Sequence, residues 1–194
     1  MKKPPAGAVR PDASDPRFDL MRAVGLCDPS WESAGRLTFH PQILSRPAWQ
    51  DWKINVFQPL LRPQLEAAVV GCAAGDGRAI ELCDQALEAG LSPAQVKMSR
   101  NAGALLAAAY TPPSGERLWL RARERIAAGT WPGHLAVVIA MRAAAFHLPP
   151  IQAVGSYLLL EARGAFGRAA MPLCLEMVED CLAEGPSVPL LRVA

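Results

Sequence analysis

HLAVVIAMRAAAF, residues 134–146, decides the fold class, because it is apolar on nearly every side of a helix. A helix of this kind belongs in the centre of a bundle, where all its faces are covered. Its alanines at 136, 140, 143 and 144 would allow neighbouring helices to approach closely. The next helix is opened by Pro149 and Pro150. We therefore expect a buried central helix from His134 to Phe146, packed on a helix that extends to about Arg163.

Helical spacing continues on both sides of this segment. Ser92 is a good N-cap and Pro93 suits the first helical position, which predicts a helix from Pro93 to Tyr110. Further helices are expected at residues 18–26, 49–61, 64–72, 78–88, 116–128 and 172–184, with Pro59 and Pro63 breaking or restarting the second. No segment alternates as a strand does. The sequence predicts an all-α protein, a single-domain helical bundle of about six to eight helices over residues 17–194, after a disordered proline-rich tail at 1–16.

The spacing also predicts which side chains are buried. Ile80, Cys83 and Leu87 share one face of the helix at 78–88. The other expected inward residues are Val96, Ala102, Leu105, Leu106 and Ala109 in the helix at 93–110, and Leu173, Met177, Val178, Cys181 and Leu182 in the last helix. The tryptophans at 31, 49, 52, 119 and 131 lie in loops or near helix ends. A core position and a partly exposed interface position suit each of them equally.

The composition indicates a globular protein and excludes some partners. The 194 residues suit one domain, and 51% of them are apolar. A net charge of +2 is too small to indicate binding to nucleic acid or to an anionic membrane. No apolar stretch follows the lysines of the start, and the most apolar stretch, Leu135–Met141, is much shorter than the roughly 20 residues of a membrane span. We therefore expect no membrane insertion and a cytoplasmic location.

The residues that usually carry enzyme chemistry are scattered. The sequence has no glycine-rich phosphate loop, and none of the histidines at 40, 134 and 147 has a histidine or an acid four residues on. Cys72 and Cys83 would be about 16 Å apart on one continuous helix, and Cys174 and Cys181 about 10 Å apart. All four are expected in the core, although a turn at Gly75 leaves a metal role open for the first pair. The sequence thus predicts no enzyme, no metal site and no cofactor.

Two features are candidates for contacts with other proteins. Glu161 lies in the middle of a hydrophobic helix, where it either faces solvent or makes a polar contact to a partner. Arg117, Arg121 and Arg125 are spaced by four residues and line one helix face, either as solvated charges or as a docking patch for an acidic protein.

His134, at the start of the buried helix, is expected to cap or pack rather than to catalyse.

Several segments resemble the UreF family of urease accessory proteins in order and spacing. LPPIQAVGSYLLLEARGAFGRAAMPL, residues 148–173, resembles the C-terminal core of that family, with these residues in register: Leu148, Pro149, Tyr157, Glu161, Gly167 and Pro172. SRNAGALLA at 99–107, Gly75-Asp76 before an alanine-rich helix, and LMRAVGLCDPSWESAG at 20–35 are similar to further parts of the family. The chain departs from the family pattern at 34–38, at Ala169 and at Cys174-Leu175, where the family meets its partners.

The resemblance implies an all-α, non-enzymatic scaffold that is usually a homodimer. Such a protein joins a second urease accessory protein and a GTPase on apo-urease and helps to deliver nickel. In this chain the resemblance would place four residues at the partner-binding surface: Tyr157, Glu161, Arg168 and Pro172. A metal site completed across a dimer, with His134 or a cysteine from each chain, stays open.

A second resemblance is confined to nine residues. FHPQILSRP, residues 39–47, is similar to the N-terminal signature of the adaptors of the type III secretion sorting platform, which link the basal body to cytoplasmic components. Proline-rich loops often produce such short matches. A UreF-like scaffold is therefore the first expectation, and the adaptor is the alternative.

Overall fold

The computed structural model describes residues 45–109, 117–166 and 171–183, which form seven continuous helical segments. The first segment comprises three elements and each of the others is one element: α1 (Arg46–Trp52), π1 (Lys53–Leu61), α2 (Arg62–Ala73), α3 (Gly77–Gly90), α4 (Pro93–Ala109), α5 (Arg117–Ala127), α6 (Leu135–Ala145), α7 (Pro150–Phe166) and α8 (Met171–Ala183). The described residues contain no strand, so the predicted all-α bundle is confirmed. The tail predicted at 1–16 and the helix predicted at 18–26 lie outside the described residues.

Helix α6 lies at the centre of the bundle, as its apolar sequence predicts. Every residue from Leu135 to Ala143 is buried, Arg142 included. The helix packs on α2, α4 and α7. Burial on this scale is the main stabilising contribution in a helical domain, because each large apolar side chain removed from water contributes about 1.5–3 kcal/mol.

The first three elements form one unbroken helical run through two prolines. Pro59 lies inside π1; a proline has no N–H to donate, and its ring crowds the carbonyl group four residues earlier. The helix widens here, and the N–H of Arg62 donates to the carbonyl of Phe57, five residues back. Pro63 lies one turn further on, at the start of α2, and likewise donates no N–H to the run. The expectation of a break at these prolines is wrong, because π-type turns accommodate Pro59.

The tryptophans of the described chain belong to the core. Trp49, Trp52, Trp119 and Trp131 are 0–5% exposed, so the interface reading of these side chains is not supported by their positions. The Trp49 and Trp52 rings are 4.9 Å apart, and Trp52 stacks on Phe57 at 5.5 Å. Such pairs add about 0.5–1.5 kcal/mol beyond burial alone. Position near a helix end therefore did not indicate exposure.

Helix α4 buries Ala102 and Leu106 as expected, but not Leu105 and Ala109. Its inward residues are Ser99, Ala102, Gly103, Leu106 and Ala107, whereas Leu105 is 50% exposed and Ala109 is exposed. The reason is a close backbone contact, because a Cβ on Gly103 would lie 1.9 Å from the carbonyl oxygen of Gly133. The small residues of α4 thus face the loop before α6, and Leu105 turns outward.

Replacing Gly103 with alanine is expected to destabilise the domain by about 1–3 kcal/mol, because the added methyl group would overlap a backbone atom that cannot move aside alone. Thermal unfolding followed by circular dichroism measures the change. Gly77→Ala is the matched control, since a Cβ there would make only an ordinary contact of 3.8 Å with Leu118. Equal melting temperatures for the two variants would show that the α4 contact is looser than described.

Candidate functional site

Two of the predicted partner-binding residues lie inside the domain. Tyr157 is 0% exposed and Glu161 2% exposed, one turn further along α7. The Tyr157 ring stacks on Phe57 of π1 at a centroid distance of 6.1 Å. Burial, and then the neighbouring Glu161 carboxylate, raise the pKa of Tyr157 well above its usual value, so the phenol keeps its proton.

This position corrects the expected exposure of both residues. Glu161 neither faces solvent nor lies at the surface of the single chain, because α7 is packed against α2, α6 and α8. Arg168 and the side chain of Pro172 lie outside the described residues. A role in partner binding for these four residues stays a prediction.

A buried polar network fixes the start of the central helix. The Asp84 carboxylate accepts the N–H of Gly133 at 2.7 Å and that of His134 at 2.8 Å. The Ser99 hydroxyl accepts the N–H of Leu135 at 3.2 Å. The His134 Nε2 atom lies 2.9 Å from a Glu88 carboxylate oxygen. The network therefore provides partners for N–H groups that the first turn of a helix leaves unsatisfied.

The role of this network is structural. His134 occupies the N-cap position of α6 and is fully buried, in agreement with the expectation that it caps or packs. Burial raises the pKa of Asp84, and the N–H groups of His134 and Gly133 offset part of that rise. Sequence reasoning missed Asp84, although an acid on the apolar stripe that holds Ile80 and Leu87 is a signal for a buried acceptor.

The described cysteines and acids do not assemble into a metal centre. Among the described residues, no group of three or more histidines, cysteines, aspartates or glutamates could hold a metal ion. Burial, and then the Asp84 charge, raise the pKa of Cys83 to about 11, so that its thiol is protonated at neutral pH and unsuited to metal binding or nucleophilic attack. Cys181 is also buried, and Cys72 is half-buried. The predicted core position of Cys83 and Cys181 is confirmed.

A cleft of about 690 Å³ opens between the C-terminal half of α2, the start of α5 and the corner that joins α6 to α7. The apolar part of its lining includes Val69, Val70, Leu118, Met141, Leu148 and Pro149. The corner is sharp because His147 adopts a left-handed conformation with φ of +56°. The N–H of Leu148 then bonds back to the carbonyl of Ala143 at 2.9 Å, which closes the end of α6.

Exposed apolar side chains continue from the cleft onto the surface. Val70, on its α2 wall, is 59% exposed, and Phe146 and Ile151, which flank the corner in sequence, are 37% and 44% exposed. The lining includes Arg117 but, among the described residues, no Asp or Glu. An apolar concave surface with a polar rim is typical of a binding site. We refer to this region, lined by α2, α5 and the α6–α7 corner, as the corner cleft.

A family model described as UreF matches residues 49–171. The match extends from within α1 to the first residue of α8, and it includes every element that forms the corner cleft. The chain belongs to the UreF family of urease accessory proteins. Nothing matches among curated proteins or among solved structures.

UreF membership confirms the first resemblance seen in the sequence. UreF proteins are accessory proteins rather than enzymes, which agrees with the expected class. The matched range leaves out residues 39–47, the basis of the adaptor alternative. In the described part of the chain, no helix is long and apolar enough to cross a membrane.

Proposed function

We propose that this UreF-family protein is a non-enzymatic scaffold in the maturation of urease, a nickel enzyme. In this proposal it binds a second urease accessory protein and a GTPase on apo-urease in the cytoplasm, and it forms a homodimer. The observation that carries the proposal is the family match over residues 49–171, which covers the helical core. Nickel is a cargo supplied by the partners, and GTP belongs to the GTPase.

The geometry of the domain supports a role in binding. The central helix is covered on all sides and its start is held by Asp84 and Ser99, so the bundle offers a rigid frame for partners. The corner cleft exposes apolar side chains that a partner could cover. Protein interfaces gain affinity from such pockets because they place anchoring side chains out of water.

Reconstitution tests this proposal. Purified chain is mixed with apo-urease, the second accessory protein and the GTPase encoded in the same genome, and the mixture is separated by size-exclusion chromatography with light scattering. We expect one complex that contains this chain, and we expect the mass of the chain alone to be that of a dimer. Omitting one partner at a time shows which of them the chain contacts. Elution of the chain apart from all three would contradict the proposal.

The purified protein is expected to hold no stoichiometric metal, because the described histidines and cysteines do not converge on one point. Elemental analysis after dialysis against a metal-free buffer measures the content, and apo-protein incubated with Ni²⁺ and dialysed again gives the comparison. One tightly held metal per chain, or one per dimer, would contradict this expectation and would indicate a site completed between two copies.

A further inference from the structure

Three surface arginines of the described chain have an acidic partner. Arg46 pairs with Glu176 at 3.2 Å, and Arg100 pairs with Glu88 at 3.4 Å. Arg125 pairs with Glu81 and also lies over the ring of Trp131, at 5.4 Å from its centroid. These arginines are therefore occupied within the fold. Of the arginine row expected on α5, Arg125 has a structural role.

Three exposed arginines have no ion pair among the described residues, and they lie at the corner cleft or close to it: Arg78, Arg117 and Arg121. Arg117 lines the cleft, and Arg121 follows one turn later on the same face of α5. Arg78 follows Gly77, where a Cβ would lie 3.8 Å from Leu118 of the cleft lining. Positive charge that has no ion pair among the described residues thus adjoins an apolar cleft whose described lining has no carboxylate.

From this arrangement we infer that the corner cleft binds an acidic, apolar segment of a protein partner. Apolar side chains of that segment cover Val70, Leu118 and Leu148, and its carboxylates pair with Arg117 and Arg121. This inference rests on the proposed function, since the partner is one of the urease-maturation proteins. Guanidinium groups suit carboxylates because they offer two parallel N–H donors.

The same features disfavour a nucleic acid as the occupant. A nucleic acid is held by many phosphate contacts along a basic track, whereas here one arginine lines an apolar cleft and two more, also without an ion pair among the described residues, lie close to it. The net charge of the whole chain is only +2. A polypeptide segment with both apolar and acidic side chains matches both halves of the site.

The test compares single variants with controls of matched charge and exposure. Arg117→Glu reverses a charge at the cleft, and Lys97→Glu makes the same charge change at an exposed position of α4 that has no ion pair with another described residue. Val70→Asp places a charge in the apolar lining, at a residue that is 59% exposed. Leu105→Asp is its control, because Leu105 is an apolar residue of similar exposure, 50%, that does not line the cleft. Circular dichroism checks that all four remain folded.

Dissociation constants are measured for the full-length chain against apo-urease, the second accessory protein and the GTPase, each purified separately. We expect Arg117→Glu and Val70→Asp each to weaken binding to one of these partners by about tenfold or more, with both controls close to wild type. Raising the NaCl concentration should weaken the wild type more than Arg117→Glu, because the variant has lost a screened attraction.

Cys72 provides an independent readout, since its half-buried side chain lines the corner cleft. The bound partner should slow the alkylation of Cys72 by iodoacetamide, measured by mass spectrometry on the peptide that contains it. Cys83, buried and with a pKa of about 11, provides the unreactive reference in the same digest.

Three outcomes would overturn the inference. Cleft variants that bind every partner as the wild type does would overturn it and leave the proposed scaffold function standing. Cleft variants that lose only self-association would assign the corner cleft to a second copy of the chain. A wild-type chain that binds none of the three partners would overturn the inference together with the proposed function.

Discussion

Replacing Asp84 with alanine is expected to destabilise the protein by about 3–5 kcal/mol. The change removes the acceptor of two N–H groups, those of Gly133 and His134, at a residue that is 0% exposed. Each buried donor left without an acceptor costs about 1–3 kcal/mol. The start of α6 would also lose its capping partner. Because α6 packs on α2, α4 and α7, the whole domain is affected.

Chemical denaturation measures the change in the free energy of unfolding. Asp84→Asn should fall between the wild type and Asp84→Ala, because an amide retains one acceptor oxygen for the two donors. Asp180→Ala, at an exposed position of α8, is the control and should change stability by less than about 0.5 kcal/mol. If Asp84→Ala were as stable as this control, the Asp84 network would not hold the start of α6.

Reversing the charge of Glu161 is the second change with a large expected effect. Glu161→Lys would place a cation at a site that is 2% exposed, beside the Tyr157 phenol and on a helix packed against α2, α6 and α8. An uncompensated buried charge costs about 3–5 kcal/mol. We therefore expect a melting temperature lower by about 10 °C, rather than a folded monomer that fails to assemble.

Thermal unfolding and complex assembly are measured on the same preparations. Glu124→Lys makes the same charge change at an exposed position of α5 and should melt near the wild type. Glu161→Gln keeps the shape of the side chain and should lie between the two. A Glu161→Lys chain that melts like the wild type but no longer assembles with partners would show that Glu161 belongs to a partner surface, as the UreF resemblance implies.

Helix positions could be predicted from the sequence because the signals that set them are local. Ser92 and Pro93 mark the start of α4, and apolar residues on every side of 134–146 mark the central helix. The all-α fold follows from these patterns. What proline does in π1 could not be predicted in the same way, because a break and a widened turn both accommodate a residue that donates no N–H and whose ring crowds the preceding turn.

Side-chain environments depended on contacts between distant segments and were predicted less well. Leu105 was expected inside, but the close approach of Gly103 to Gly133 turns it outward. Glu161 is buried although it is ionisable, because α2, α6 and α8 pack against α7. The corner cleft combines α2, α5 and the α6–α7 corner, so no single stretch of sequence carries its signal.

The nickel content of urease tests most directly whether this chain serves urease maturation. The urease structural and accessory genes of the same genome are expressed in a host without urease, with and without this chain, and urease is purified from each. We expect nickel-loaded, active urease when the chain is present and mainly apo-urease when it is absent. Equal nickel content and equal activity in both preparations would contradict this expectation.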